Sequence, residues 1–415
     1  MEDIMKDGDA PLKAKKTKWV KTRHAIIQKV AAFVAGPIFK WMYNCKVEPY
    51  KGDTTRPMLI LYNHQTPFDQ FYVGLTFKIP VYYVSTEDLH SRGWLSSLIR
   101  WAVAPIAIRK QASDVGAVRN CLRVAREGGT IAIAPEGNRT YSGKTEYMSP
   151  AIVTLARVLK LPVALLRIEG GYGIIPRWSD KQRRGHMRVF VPRVIEPEEY
   201  AALSDEELFR LISDTLYVDD HELNQQFISK RGAEYLERAI YTCPDCGLTR
   251  YESHGNEAKC LKCGKAVAYG ADMHLTGVGH EFPYKTVSEW YDRQKDFINA
   301  LDVTKLVDEP VYEETADVYE IIASKNRKLL CNGTTLQLYG DRITVSLGDG
   351  EPTTMTFDDV FAAAVLGRNK LNIYYQDHIY QFKGDKRFNS LKYVHFCYRW
   401  KNKDKDEPDG KFLGL

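Results

Sequence analysis

"LILYNHQTPFDQ", Leu59 to Gln70, closes an apolar run with a histidine and an aspartate that have four residues between them. On one continuous helix that pair would stand about 140° apart and could not meet. The apolar run instead reads as a buried strand ending at His64. Pro67 then favours a new helix with Asp69 in its first turn. In such a strand–turn–helix unit the Asp69 carboxylate folds back on one imidazole nitrogen and leaves the other to accept a proton. A satisfied structural pair has the same spacing, so the rest of the chain must decide between them.

Outward from this stretch, strand-like and helix-like segments alternate from about Arg56 to Ile195. "MLILYNH", "VYYVS", "APIAIR", "TIAIAPEG", "LPVALLRIEG" and "MRVFVPRVI" are the strand candidates. Between them "SDVGAVRNCLRVAREGG" and "SPAIVTLARVLKL" have helical patterning, the latter with Ser149 as N-cap and Pro150 at the first helical position. A further helix begins at Ser204, where Glu207 completes a capping box. The alternation predicts an α/β class, with helices flanking a largely parallel sheet.

At 415 residues, with 44% hydrophobic and 12% aromatic content, the chain is long enough for two or three cored domains. Its net charge of +5 points to no partner. The distribution says more: between Ala10 and Val47 there are eight lysines, one arginine and no acidic residue, after a start bearing Glu2, Asp3, Asp7 and Asp9. That start lacks the layout of a secretory signal. The longest apolar run nearby, "VAAFVAGPIF", falls short of the roughly 18 residues of a spanning helix. From Lys18 to Tyr43, Ile26, Ile27, Val30, Phe33, Val34, Ile38, Trp41 and Met42 recur at helical spacing, with a kink expected at Pro37. A basic helix with one apolar face predicts peripheral or monotopic attachment to an anionic membrane surface, on its cytoplasmic side; the alternative is a helix packed on the protein's own core. "RGWLSSLIRWAVAP" gathers Trp94, Leu98 and Trp101 in the same manner.

Two more strand ends carry polar groups. "IAIAPEGNRTYSG", Ile131 to Gly143, runs into a glycine-bearing loop with Glu136 and Arg139. Ligands of open α/β sheets bind at such an edge, and a guanidinium grips phosphate bidentately. "APIAIRKQ" brings Arg109 and Lys110 to what is expected to be the same edge.

"NHQTPFD" followed by "PEGNRTYSG" resembles the paired signature of the glycerolphosphate and 1-acylglycerol-3-phosphate acyltransferase superfamily. Its four blocks all have counterparts here, in order, over roughly Arg56 to Ile195. The second block, "PIAIRK", lacks the usual leading glycine, and the fourth keeps Pro162 and Val163 but has Ala164 and Leu165 where a second proline is common. The resemblance implies acyl transfer from a thioester, acyl-CoA or acyl carrier protein, to 1-acyl-glycerol-3-phosphate, giving phosphatidic acid. Glycerol 3-phosphate or another lysophospholipid is the alternative acceptor, and a non-catalytic lipid-binding or tethering protein is the alternative class. It implies His64 as base, Asp69 as its orienting partner, Glu136, Gly137 and Thr140 shaping the acceptor site, and Arg139 with Arg109 on the acceptor phosphate. No redox cofactor is expected.

Farther on, "CPDCGLTRYESHGNEAKCLKCGK" supplies Cys243, Cys246, Cys260 and Cys263 as two CxxC pairs, each followed by a glycine. Four thiolates so spaced predict a closed structural zinc site. Without a basic-aromatic stripe around them, nucleic acid is not an expected partner. From Val318 onward, short β-rich runs with turn signals at "YGDR" and "LGDGEP" precede the helical "FNSLKYVHFCYRWKN". The order of elements resembles a pleckstrin-homology-like or GRAM-like barrel. The expected organisation is a membrane-associating arm (1–50), an acyltransferase domain (51–240), a zinc ribbon (241–270), a helical linker (271–310) and the β-rich domain (311–415).

Overall fold

The computed structural model describes residues 18–86, 94–108, 115–322, 327–347 and 351–405. The first sheet has seven strands in the order β1-β7-β6-β2-β5-β3-β4. They are β1 (Cys45–Val47), β2 (Leu59–Tyr62), β3 (Val81–Thr86), β4 (Ile106–Ile108), β5 (Thr130–Ile133), β6 (Val163–Glu169) and β7 (Met187–Ile195). All neighbours pair in parallel except β6 and β7. The six strands expected from sequence are all present. β1 was not expected: three residues ending the basic segment are too short to show a period, and they pair only because β7 offers an edge.

β2 lies at the centre and is buried on both faces. Leu59 and Leu61 point into one core layer with Cys121, Val124, Ile152, Ala156, Leu208 and Ile212. Ile60 and Tyr62 point into the other, with Tyr72, Val73 and Phe77. This explains the unbroken apolar run, since a central parallel strand has no solvent face to keep polar. The helices over these faces are α1 (Thr22–Met42), α2 (Asp69–Phe77), α3 (Trp94–Val103), α4 (Val115–Arg126) and α5 (Ala151–Leu159), followed by a helix at Asp205–Leu216. That last helix carries the expected Ser204–Glu207 capping box. At α5 the expected cap is absent: Ser149 makes no side-chain cap bond, and Pro150 itself stands at the boundary.

α1 runs as helix straight through Pro37. It docks through polar and small residues together with Phe39. His24 Nδ1 lies 3.1 Å from the Tyr82 hydroxyl, and Gln28 exchanges two hydrogen bonds with the Val81 backbone (2.9 and 3.1 Å). Gly36 faces Leu75, and Phe39 packs on Phe68 and Phe71. The apolar stripe is left outside: Ile26, Val30, Val34 and Ile38 are exposed, and Phe33 and Trp41 are each 83% exposed. α3 lies beside it, joined by the Arg23 Nε bond to the Trp101 carbonyl (3.0 Å), with Trp94, Leu98 and Trp101 also exposed. By length and composition Thr22–Met42 is long and apolar enough to cross a membrane, at a mean hydropathy of 1.2. Gln28, Lys29 and Lys40 break the apolar runs without interrupting the helix.

Four antiparallel strands, Tyr251–His254, Glu257–Cys260, Ala266–Tyr269 and Leu275–Gly277, form a small second sheet beside the Thr242–Cys243/Gly247–Leu248 hairpin. It extends past residue 270 into the stretch read as a linker, whose helix is Val287–Ala300. The C-terminal region is a nearly closed antiparallel sheet of seven strands between Tyr312 and Lys383. Helix Leu391–Lys401 packs on it through Leu391, Val394, Phe396 and Cys397.

Candidate active site

Parallel pairing aligns the ends of β2 and β5. Leu61 stands opposite Ile133, so His64 and Glu136, each three residues further on, leave the sheet at the same level. Asn63 holds the end of β2 against β6: its amide donates to the Ile168 carbonyl (2.8 Å) and accepts from the Ile168 N–H (2.7 Å). The chain then turns, and α2 starts at Asp69.

Asp69 is fully buried and organises the turn. Its Oδ2 lies 2.7 Å from His64 Nδ1 and accepts from Gln65 N–H at 2.8 Å, while Oδ1 accepts from the Thr66 N–H (3.0 Å) and hydroxyl (2.6 Å). With Nδ1 engaged, Nε2 is left without a hydrogen-bond partner among the described residues, and the His64 side chain is 25% exposed. A second His–Asp pair shows why spacing alone could not decide the question. His221 Nδ1 lies 2.8 Å from Asp219 Oδ1, but its ring is 4% exposed and its Nε2 is sealed in. Of these two rings, only that of His64 is reached from solvent.

The loop after β5 is bonded directly to this turn. The His64 N–H donates to Glu136 Oε1 (2.8 Å), and the Thr140 N–H donates to the His64 carbonyl (3.2 Å). Gly137 has a φ of +68°, and a Cβ there would meet nothing within 4 Å, so backbone conformation rather than space calls for glycine. Its N–H donates to the Ala134 carbonyl. Thr140 is buried, with its hydroxyl accepting from the N–H groups of Ser142 (3.2 Å) and Gly143 (2.9 Å). The hydroxyl is therefore part of the loop's internal wiring. Arg139 Nη1 is buried with no hydrogen-bond partner among the described residues. Burial, then the nearby charges of Arg177 and Arg368, hold its pKa down at about 9. Arg109 lies outside the described residues. A cleft of about 450 Å³ lined by Lys40, Asn44, His186 and Arg188 contains none of these groups; residue chemistry, not cleft size, marks the site.

Sequence reasoning missed Arg177 and Arg368, which stand outside both motifs. Arg177 stacks over Tyr141 with 4.3 Å from its guanidinium carbon to the ring centre and donates from Nη1 to the Arg139 carbonyl (2.9 Å). No local pattern around either arginine marks it, because its neighbours come from elsewhere in the chain.

The four cysteines also converge. Their Sγ atoms all lie within 4.8 Å of one another, and Cys243 Sγ is 3.9 Å from Cys263 Sγ. A tetrahedron with metal–sulfur bonds of about 2.3 Å has edges of about 3.8 Å, so the residues fit a four-thiolate metal. Gly247 and Gly264 both have positive φ, as the tight turn after each pair requires.

Glu136 couples this site to pH. Burial is the main reason its carboxyl is pushed up to about 8, with Glu146 and Asp69 adding to the rise and the His64 and Glu146 N–H groups opposing it. Against an ordinary value of 4.5, the folded protein keeps a proton that the unfolded chain releases, so this group's contribution to stability declines as pH rises between those values. Glu136→Gln retains an acceptor and cannot ionise. Its melting temperature minus that of wild type should therefore increase between about pH 5 and pH 8. A difference independent of pH would show that Glu136 is charged throughout.

Residues 46–169 match the family model described as Acyltransferase. The chain is 24% identical over 190 residues to the 1-acyl-sn-glycerol-3-phosphate acyltransferase BAT2, chloroplastic, of Brassica napus, an alignment covering 45% of this chain and 54% of that protein. The chain thus spans about half the length of this curated relative. The crystal structure of the 1-acyl-sn-glycerophosphate (LPA) acyltransferase PlsC from Thermotoga maritima aligns at a TM-score of 0.39 and 20% identity, covering 46% of this chain and 78% of that one. With its NHQTPFD and PEGNRT blocks bonded to each other at one sheet edge, the segment 46–169 is an acyltransferase domain of the glycerolphosphate acyltransferase superfamily.

Proposed function

We propose that this protein transfers a fatty acyl group from a thioester, acyl-CoA or acyl carrier protein, to the free hydroxyl of 1-acyl-glycerol-3-phosphate, giving phosphatidic acid. One observation supports this reading above others: His64 has Nδ1 on buried Asp69 and an Nε2 with no partner among the described residues, and its backbone is bonded to the loop that carries Arg139. In the reaction Nε2 takes the acceptor hydroxyl proton as that oxygen attacks the thioester carbonyl carbon. The carbon–sulfur bond then breaks, and the departing thiolate takes the proton back from the imidazolium. Asp69 holds the tautomer and stabilises the cation. Arg139 holds the acceptor phosphate, aided by Arg109. Glu136, Gly137 and Thr140 keep the loop in shape. No covalent acyl-enzyme is required.

The rest of the chain fits a catalyst working at a lipid surface. The exposed stripe of α1, with Trp94, Leu98 and Trp101 of α3, is a large apolar patch for an aqueous protein, and its flanking lysines match anionic lipid. Cys243, Cys246, Cys260 and Cys263 hold a structural zinc, whose role is to brace the small sheet. The C-terminal sheet is read as a pleckstrin-homology-like or GRAM-like module.

Three measurements test this reading. With radiolabelled oleoyl-CoA and a panel of lysolipids, wild type should acylate 1-acyl-glycerol-3-phosphate and His64→Ala should lose at least about 10²-fold in rate; equal rates would remove His64 from the chemistry. In vesicle flotation the protein should rise with phosphatidylserine-containing vesicles and less so at high salt, whereas Phe33→Glu/Trp41→Glu should remain at the bottom. Flotation of that double variant to the same height would exclude α1 as the contact. Elemental analysis of the purified chain should find about one zinc per molecule, reduced in Cys260→Ser; a metal-free wild type would refute the zinc site.

A further inference from the structure

The chain's C-terminal sheet reaches the acceptor side of the acyltransferase loop. Its turn at Gly367, between strands Val360–Leu366 and Lys370–Tyr375, meets Arg177. Arg177 is 3% exposed, and each of its nitrogens is engaged. Nη1 donates to the Arg139 carbonyl (2.9 Å), Nε to the Gly367 carbonyl (3.2 Å), and Nη2 to the Val365 carbonyl (3.2 Å) and the Asn138 amide oxygen (3.5 Å). One guanidinium therefore ties the PEGNRT loop to the C-terminal turn. The residue after Gly367 is Arg368. Its Nη1 donates to Asp180 Oδ1 (2.9 Å), and its side chain remains 32% exposed.

Charge does not balance here. Asp180 is also paired with Arg238, at 3.0 Å to Oδ1 and 3.2 Å to Oδ2. Asp69 is engaged by His64, Gln65 and Thr66. Among the described residues neither Arg139 nor Arg177 has a carboxylate partner, and the buried Arg139 Nη1 has no hydrogen-bond partner. The charge of Arg368 is felt at Arg139, where it disfavours the protonated guanidinium. Holding cations together without a counter-charge is unfavourable unless an anion joins them. A phosphate monoester, at about −1.5 to −2 near pH 7, supplies that charge and acceptors for two planar guanidinium groups.

We propose that Arg368, carried by the C-terminal sheet, joins Arg139 in binding the acceptor's phosphate monoester, so that the acceptor site is completed by a region outside the acyltransferase domain. This rests on the acyl-acceptor reading above and adds to it a specificity residue that neither motif contains. Arg177 keeps the two halves in register.

The test is equilibrium binding by titration calorimetry, with the full-length chain and no acyl donor, so that catalysis plays no part. Three ligands are compared: 1-oleoyl-glycerol-3-phosphate, glycerol 3-phosphate and monooleoylglycerol. Arg368→Ala should bind both phosphate ligands about 10- to 100-fold more weakly, the worth of one charge-assisted contact, and monooleoylglycerol as wild type does. Arg368→Lys, which keeps the charge and the Asp180 partner, should recover part of the loss and guards against a folding defect in the alanine variant. Wild-type affinity in Arg368→Ala, alongside a loss in Arg139→Ala, would overturn the role of Arg368 and leave the acceptor reading intact. A loss confined to 1-oleoyl-glycerol-3-phosphate would overturn the phosphate role, since the acyl chain would then be what Arg368 touches. A wild-type protein that prefers neither phosphate ligand over monooleoylglycerol would overturn the acceptor reading and this inference with it.

Discussion

Asp69 is a buried carboxylate, and burial obliges it to find donors. It takes them from the imidazole of His64, the N–H groups of Gln65 and Thr66 and the hydroxyl of Thr66, all within one turn. The same bonds that satisfy the carboxylate orient the imidazole, so the cost of desolvating Asp69 is offset by interactions that also fix the ring of His64. Moving the carboxylate would leave two N–H groups and a histidine without partners. The turn thus has one low-energy arrangement, and that arrangement presents Nε2 at the sheet edge.

Everything placed around the turn depends on the register of a parallel sheet. Leu61 opposite Ile133 delivers His64 and Glu136 to a common level, and Asn63 locks the third strand, β6, to the same end. Bonds from His64 N–H to Glu136 and from Thr140 N–H to the His64 carbonyl then join two motifs more than seventy positions apart. The loop is in turn braced from outside: Tyr141 stacks parallel to Tyr291 of helix Val287–Ala300, and Arg177 spans from the loop to the C-terminal sheet. The later regions of the chain therefore reach the shell around the PEGNRT loop.

Legibility followed the range of the interactions. The strand–turn–helix unit at Leu59–Phe77 was readable because its donors and acceptors lie within six residues of each other, and the Ser204 capping box was readable for the same reason. Ser149 misled because a proline follows it: the helix starts on carbonyl bonds from Ser149 and Pro150 without a side-chain cap. β1 was illegible because three residues form a strand only where β7 waits for them. α1 was read correctly as helical and apolar on one side. Its docking through His24, Gln28 and Gly36, with the apolar side left outward, followed from what α2 and β3 offered it.

The amino-acid sequence by itself determined the α/β class, the six main strands, the pairing of His64 with Asp69, the loop bearing Arg139, and the four cysteines as one group. Each of these is written in short-range spacing, where chain geometry leaves little choice. Tertiary structure alone decided that the ring of His64 and not that of His221 is reached from solvent, that the hydroxyl of Thr140 turns inward, and that Arg177 ties Arg139 to the turn preceding Arg368. Exposure and charge balance are sums over all the neighbours of a group, and those neighbours come from strands and turns far apart in the chain.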